Sequence, residues 1–143
     1  MRFSGGYTRR AFLAAFAAVG ATLATRTKAA PQEHREFIAA AFRMKDEAVR
    51  AGDQPFGAVV VMDGRILGFG PSRVVLKKDA TAHAEREAIR EAQARLGRND
   101  LSGAILYSSS RPCSACEAAA ADANIARMIH GSEAVDGGRP KRS

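Results

Sequence analysis

The chain has 143 residues, 46% of them hydrophobic and 26% charged, which is ordinary for one globular domain. Its formal charge of +7 is unevenly placed: residues 1–29 hold five basic and no acidic side chains, and the rest holds 17 basic and 15 acidic ones. A near-neutral body lacks the basic surface that nucleic-acid binding requires, so a nucleic acid is disfavoured as a partner.

Residues 1–29 are predicted to be an export signal. The paired Arg9 and Arg10 resemble the twin-arginine motif, and an Ala-rich apolar run extends to about Ala24. This run is too short and too weakly apolar for a stable membrane anchor. Cleavage fits best after Ala29, which predicts a periplasmic protein. The alternative is an Ala-rich helix or an early start codon, and the protein then stays in the cytoplasm.

A helix and a hairpin come first in the mature chain. Residues 33–51 carry apolar side chains at helical period. Residues 58–62 are a continuous apolar run, Asp63-Gly64 is a strong turn signal, and residues 65–69 return as a second strand.

The second half alternates helices and strands. Thr81 is predicted to cap a helix over residues 81–96, and residues 104–107 form a strand. A short Ala-rich helix starts at Pro112, a residue suited to the first helical position, and residues 125–130 form another strand. A strand, a helix and a strand at this spacing predict a parallel pair with a right-handed crossover.

These elements predict the class α/β and a three-layer α/β/α fold. Its sheet is expected to be mixed, with four recognisable strands, in one domain over residues 30–131. Residues 132–143 are polar, basic and glycine-bearing, and are predicted to be a disordered tail.

The only two cysteines are Cys113 and Cys116, at the start of a predicted helix. Residues three apart on a helix face the same side, and a helix N-terminus lowers the pKa of a thiol. The pair therefore suits a metal. The same spacing is also found in redox dithiols, so a periplasmic dithiol oxidoreductase remains an alternative.

His83 and Glu85 are two residues apart, so in mid-helix they would point about 200° from each other. They share a site only in the first turn, where the Thr81 cap places them. One imidazole and two thiols bind zinc with a fourth position open, as catalytic sites do. Zinc brings the pKa of water to about 7, and Glu85 would carry the proton. His34 is expected to be solvated, and His130 to pack or lie at the surface.

Four short stretches occur in the order and at the spacing of one known family. They are residues 54–61 (QPFGAVVV), 63–64 (DG), 79–85 (DATAHAE) and 111–116 (RPCSAC). Through them the chain resembles the cytidine/deoxycytidylate deaminase superfamily, and most of all its guanine, cytosine and tRNA-adenosine deaminase branch.

At matching positions the resemblance assigns zinc to His83, Cys113 and Cys116, and proton transfer to Glu85. It implies that zinc-bound hydroxide attacks the amino-bearing ring carbon of a small free nucleobase or nucleoside of guanine or cytosine type. It also implies a homo-oligomer, most simply a dimer.

The resemblance places the substrate beside Phe56, Ala58 and the main chain of Ala84. Two neighbours depart from the family pattern. Ser72 stands where a substrate-binding Asn is usual, and its hydroxyl cannot make a bidentate amide contact. Arg111 stands where related chains carry Glu or a small residue, which changes the charge of the pocket rim.

The C-terminal end is shorter than the family pattern. Only 12 residues follow Gly131, where the family continues with a helix and a fifth strand. The fifth strand is therefore expected to be missing, which leaves the fourth strand as an exposed edge. A truncated, non-catalytic zinc-binding domain is one alternative to an active enzyme, and a tRNA adenosine deaminase-like protein is another.

Overall fold

The computed structural model describes residues 31–142, and the predicted export signal lies outside them. The helices and strands in chain order are α1 (Pro31–Arg50), β1 (Gly57–Met62), β2 (Arg65–Pro71), α2 (Val74–Lys77), α3 (Ala84–Leu96), β3 (Ile105–Ser108), α4 (Ser114–Asp122), β4 (Arg127–His130) and β5 (Val135–Gly138). None of the helices in this range has the length and apolar content that crossing a bilayer requires.

The five strands form one mixed sheet in the order β2-β1-β3-β4-β5. β1 pairs antiparallel with both β2 and β3, and β3 pairs with β4 in parallel, as the intervening helix predicts. The α/β class and the mixed sheet are confirmed.

The prediction of a missing fifth strand is wrong. β5 lies within the segment predicted to be a tail, and it pairs antiparallel with β4. Its sequence, Val-Asp-Gly-Gly, has no alternation of apolar and polar residues and is mostly exposed, so the pattern contained no strand signal. The fourth strand is therefore not an edge of the sheet.

The two faces of the sheet are covered by different helices. Alternate side chains of β1 point to opposite faces, so Ala58 and Val60 join the core under α3 and α4, while Val59 and Val61 join the core under α1. This is the predicted three-layer arrangement.

Helix α3 lies directly against β2 because two strand residues are glycines. A Cβ atom on Gly68 would come within 1.9 Å of the Ala88 carbonyl oxygen, and one on Gly70 within 2.0 Å of the Ala84 carbonyl oxygen. No larger residue fits without moving the helix.

Helices α3 and α4 both begin later than predicted. His83, not Thr81, is the N-cap of α3, and both the main-chain N–H and the hydroxyl of Thr81 donate to the Asp79 carboxylate instead. Cys113 is the N-cap of α4, and its Sγ accepts from the N–H of Cys116 at 3.4 Å. Pro112 therefore precedes the helix.

The Asp53 carboxylate joins the loop before β1 to the segment after β2. Its Oδ1 accepts from Ser72 Oγ at 3.0 Å and from the Gln54 N–H at 2.8 Å, and its Oδ2 accepts from the N–H groups of Val75 and Leu76 at 3.0 and 2.9 Å. Burial opposes the charge on Asp53, but these four hydrogen bonds outweigh it and lower the pKa of the carboxyl.

We expect Asp53→Asn to lower the free energy of unfolding by about 1–3 kcal/mol at pH 7, since an amide NH₂ in place of Oδ2 leaves two N–H donors unpaired. The pKa of Asp53 is lower in the folded than in the unfolded chain, so its stabilising effect is complete above the unfolded value of about 3.9 and fades as pH falls through the lower folded value. Urea unfolding at pH 7 and at pH 3 should show the gap between variant and wild type narrowing in acid.

Asp46→Asn is the matched control, because Asp46 is exposed on α1. A gap that stays constant from pH 7 to pH 3 contradicts the interpretation.

Candidate metal centre and active site

Three side chains that could hold a metal meet where α3 and α4 begin. His83 caps α3, Cys113 caps α4, and Cys116 lies in the first turn of α4. The Nδ1 atom of His83 is 3.4 Å from the Sγ of Cys116 and 3.7 Å from the Sγ of Cys113. Within residues 31–142 this is the one group of three such side chains with ligand atoms all within 4.8 Å of one another.

The donor set and its spacing fit zinc. Tetrahedral zinc with one imidazole and thiolates at its usual bond lengths has ligand atoms about 3.5 Å apart, close to the two nitrogen–sulfur distances seen here. Both cysteines are free thiols, and Cys116 is buried while Cys113 is exposed. These three side chains, His83, Cys113 and Cys116, are called the metal group below. One side of the group therefore faces the protein interior and the other faces solvent.

Both cap residues are extended, and this conformation helps to bring the donors together. His83 has φ −61° and ψ 152°, and Cys113 has φ −69° and ψ 167°. The two helix N-termini place partial positive charge beside the thiols, which favours the thiolate form. Burial, reinforced by the nearby Glu85 carboxylate, raises the pKa of Cys116, and a bound cation acts in the opposite direction by deprotonating a coordinating thiol.

Glu85 is buried beside the metal group, with only 6% of its surface exposed. Burial raises the pKa of its carboxyl, although Cys116 and His83 partly offset the rise. A carboxyl whose pKa moves toward neutrality both takes and returns a proton more readily near pH 7. The structure thus places a buried carboxyl group with a raised pKa next to the side chains that could bind a metal.

A cavity of about 150 Å³ opens onto this group of residues. His83 and Cys113 of the metal group line it, and so does Glu85. The other lining residues are Gln54, Phe56, Ser72, Ser110 and Arg111.

The predicted substrate contacts divide into two sets. Phe56, Ser72 and Arg111 line the cavity. Ala58 and Ala84 are fully buried, and their side chains belong to the core under α3 and α4 and do not line the cavity. The contact expected from the main chain of Ala84 stays a prediction.

Sequence reasoning missed Gln54 and Ser110 as cavity residues. A polar residue beside a proline or at the end of a strand is typical of any loop. Gln54 lies in the loop between α1 and β1, and Ser110 lies two residues past β3, next to Arg111. Their adjacency to Phe56 and Arg111 was the available signal.

The other two histidines lie away from the metal group. His34 is not simply solvated as predicted, because its Nδ1 is 2.8 Å from the hydroxyl of buried Tyr107, on the α1 side of the sheet. His130 is half-buried at the end of β4, and burial together with the nearby Arg111 lowers its pKa. In the described range the metal group keeps three protein ligands.

Residues 31–132 match the family model described as the cytidine and deoxycytidylate deaminase zinc-binding region. The chain is similar to the guanine deaminase of Bacillus subtilis (40% identity over 104 residues, 72% of this chain and 67% of that one) and to the tRNA-specific adenosine deaminase of Agrobacterium fabrum (42% over 95 residues, 64% and 62%).

The crystal structure of the Bacillus subtilis guanine deaminase superimposes with a TM-score of 0.67 at 40% identity, over 69% of this chain and 64% of that one. The chain thus spans about two thirds of the length of these relatives. The family match covers most of the chain and includes every residue of the metal group and Glu85. This protein belongs to the zinc-binding cytidine and deoxycytidylate deaminase family.

Proposed function

We propose that the protein is a hydrolytic deaminase of a small nucleobase or nucleoside of guanine or cytosine type. The observation that supports this most directly is the buried Glu85 beside a three-ligand metal group at one wall of a cavity. A three-ligand set leaves a coordination position open, as catalysis requires.

The reaction replaces an amino group on a ring carbon by oxygen from water. His83, Cys113 and Cys116 would hold the zinc ion, which would supply a nucleophile at neutral pH by lowering the pKa of water. Glu85 accepts the proton released as the carbon–oxygen bond forms and delivers it to the neighbouring ring nitrogen. Glu85 then takes the proton of the new hydroxyl group and passes it to the amino group, so that the carbon–nitrogen bond breaks, a carbonyl forms and ammonia leaves.

The size of the cavity favours a single heterocycle as the group that enters. A closed apolar cavity of about 150 Å³ holds one benzene molecule, and the cavity here has a similar volume. One six-membered ring can therefore reach the metal group, while a second ring or a sugar would lie at the mouth.

A tRNA substrate is the second candidate, because the chain is about as similar to a tRNA-specific adenosine deaminase as to a guanine deaminase. The charge of the described body argues against it. Arg73, Lys77 and Arg90 are all paired with the buried Glu87, at 3.8, 2.6 and 2.8 Å. Glu87 neutralises one of these three charges, and the described body as a whole holds 17 basic and 15 acidic side chains, a net charge of +2 that gives phosphates little attraction.

We expect Glu85→Gln to reduce ammonia release by about 10² to 10⁴-fold, since the amide cannot carry a proton, while zinc stays near one per chain. The measurement is metal analysis of the purified protein followed by ammonia release from guanine, cytosine, adenine, their nucleosides and tRNA. Glu91→Gln, on the outer surface of α3, is the matched control and should release ammonia as fast as wild type.

Cys116→Ser should lose both zinc and turnover, because it removes one of the three side chains that could bind the metal.

The other outcomes separate the alternatives. Zinc near one per chain without turnover on any substrate indicates a non-catalytic zinc-binding domain. A metal-free protein with a Cys113–Cys116 disulfide supports the dithiol oxidoreductase instead. If only tRNA releases ammonia, the substrate is tRNA and not a small nucleobase or nucleoside. Full activity in Glu85→Gln contradicts the role of Glu85 in proton transfer.

Export through the twin-arginine route is a further part of the proposal and rests on the sequence of residues 1–29 alone. We expect Arg9→Lys with Arg10→Lys to keep the protein in the cytoplasm at full length, while wild type appears shortened in the periplasm. Cell fractionation of an expressing bacterium measures this. Equal export of the double variant would contradict it.

A homo-dimer is proposed from the family resemblance. Light scattering on the purified mature protein should give the mass of two chains. The mass of a single chain, at the concentration where ammonia release is measured, would contradict this.

A further inference from the structure

Gln54 is a polar residue at the wall of the cavity. The residue is exposed and lines the cavity together with His83 and Glu85. Its side chain makes no hydrogen bond within residues 31–142 that the structure describes, whereas its main chain is held on both sides. Its N–H donates to Asp53 Oδ1 at 2.8 Å, and its carbonyl accepts from the Phe56 N–H at 2.8 Å.

Ser72 cannot supply the donor that Gln54 offers. Its hydroxyl is 3.0 Å from Asp53 Oδ1, and an ionised carboxylate only accepts hydrogen bonds, so the Ser72 proton points to Asp53. The lowered pKa of Asp53 keeps the carboxylate ionised at neutral pH. Toward the cavity, Ser72 therefore has only acceptor capacity left.

Apart from Ser72, the metal group and Glu85, the cavity wall contains one planar side-chain group that can both donate and accept hydrogen bonds, the amide of Gln54. Phe56 is apolar, Arg111 only donates, and Ser110 offers a single rotating hydroxyl with no second polar atom beside it in one plane. The primary amide of Gln54 offers an N–H donor and a carbonyl acceptor side by side in one plane, which matches a ring N–H next to a C=O or to a ring nitrogen. Both guanine and cytosine present such an edge.

We propose that Gln54 is a specificity-determining residue that binds the base through this donor–acceptor edge, and that Asp53 is the positioning residue that sets its orientation. The inference rests on the proposed function, because it takes the ligand to be the nucleobase that is deaminated. Asp53 acts through the main chain of Gln54 and touches no substrate. Its carboxylate binds Gln54 and Ser72 with the same oxygen, so both cavity residues are fixed relative to each other.

The test measures base binding separately from turnover. Zinc-loaded Glu85→Gln protein is titrated calorimetrically with guanine, cytosine and adenine, and the titration is repeated with Gln54→Ala added. We expect the dissociation constant of the bound base to rise about tenfold to a hundredfold, the equivalent of two lost hydrogen bonds. Gln32→Ala, an exposed glutamine on α1, is the matched control and should leave it unchanged.

A specific role in binding also predicts what does not change. The zinc content per chain and the urea unfolding midpoint of Gln54→Ala should equal those of the Glu85→Gln protein into which it is introduced, since the side-chain amide makes no hydrogen bond within the described residues. In the Glu85-containing protein, KM should rise by a similar factor while kcat stays within about threefold, the pattern of uniform binding. Asp53→Ala, which removes the oxygen that accepts from the Gln54 N–H and that an Asn would keep, should raise the dissociation constant in the same direction with zinc retained.

Each part can fail by itself. A dissociation constant for Gln54→Ala within twofold of the parent for every base that binds overturns the role of Gln54, and so does a parent that binds no base. An unchanged constant in zinc-loaded Asp53→Ala overturns the positioning role alone. If the protein releases ammonia and Gln54→Ala leaves both KM and the dissociation constant unchanged, the inference is wrong and the proposed function stands. If Gln54→Ala weakens base binding but no base releases ammonia, the proposed function is wrong and the role of Gln54 in binding stands.

Discussion

Two glycines of β2 let the main chain of α3 lie directly on the sheet, and the position of the metal group depends on that contact. A Cβ on Gly70 would collide with the carbonyl of Ala84, the residue between His83 and Glu85. The absence of side chains on these glycines therefore sets how closely His83 and Glu85 approach the sheet. On the same face of the sheet, α4 packs into the core that α3 shares and brings its two thiols to His83.

Two buried carboxylates, at opposite ends of α2, stabilise the rest of the cavity wall. Asp53 accepts the main-chain N–H groups at the start of this four-residue helix, and Glu87 on α3 pairs with Lys77 at its end. A helix this short has little stability of its own, because nucleation costs more than one turn returns. The segment after β2 is thus held by its neighbours, and Ser72 reaches the cavity as part of it.

Much of this could be predicted from the chain, and the failures have local causes. Strong periodicity located α1, the hairpin at Asp63-Gly64 and the parallel pair of β3 and β4. The fifth strand was missed because Val-Asp-Gly-Gly has no pattern of its own and forms only by pairing with β4. The cap of α3 was misplaced at Thr81 because the carboxylate of Asp79 competes for that residue.

By itself, the sequence determined the chemical identity of the site: one imidazole, two thiols and one carboxylate, in two stretches with the spacing of helix starts. Donor types and short spacings are local properties, so they can be read without a fold. Only the tertiary structure decided that Glu85 is buried, that the side chains of Ala58 and Ala84 lie in the core, and that Gln54 lines the cavity. Burial and convergence arise from contacts between residues far apart in the chain, such as Asp53 with Ser72, and a single sequence does not encode those contacts in any short pattern.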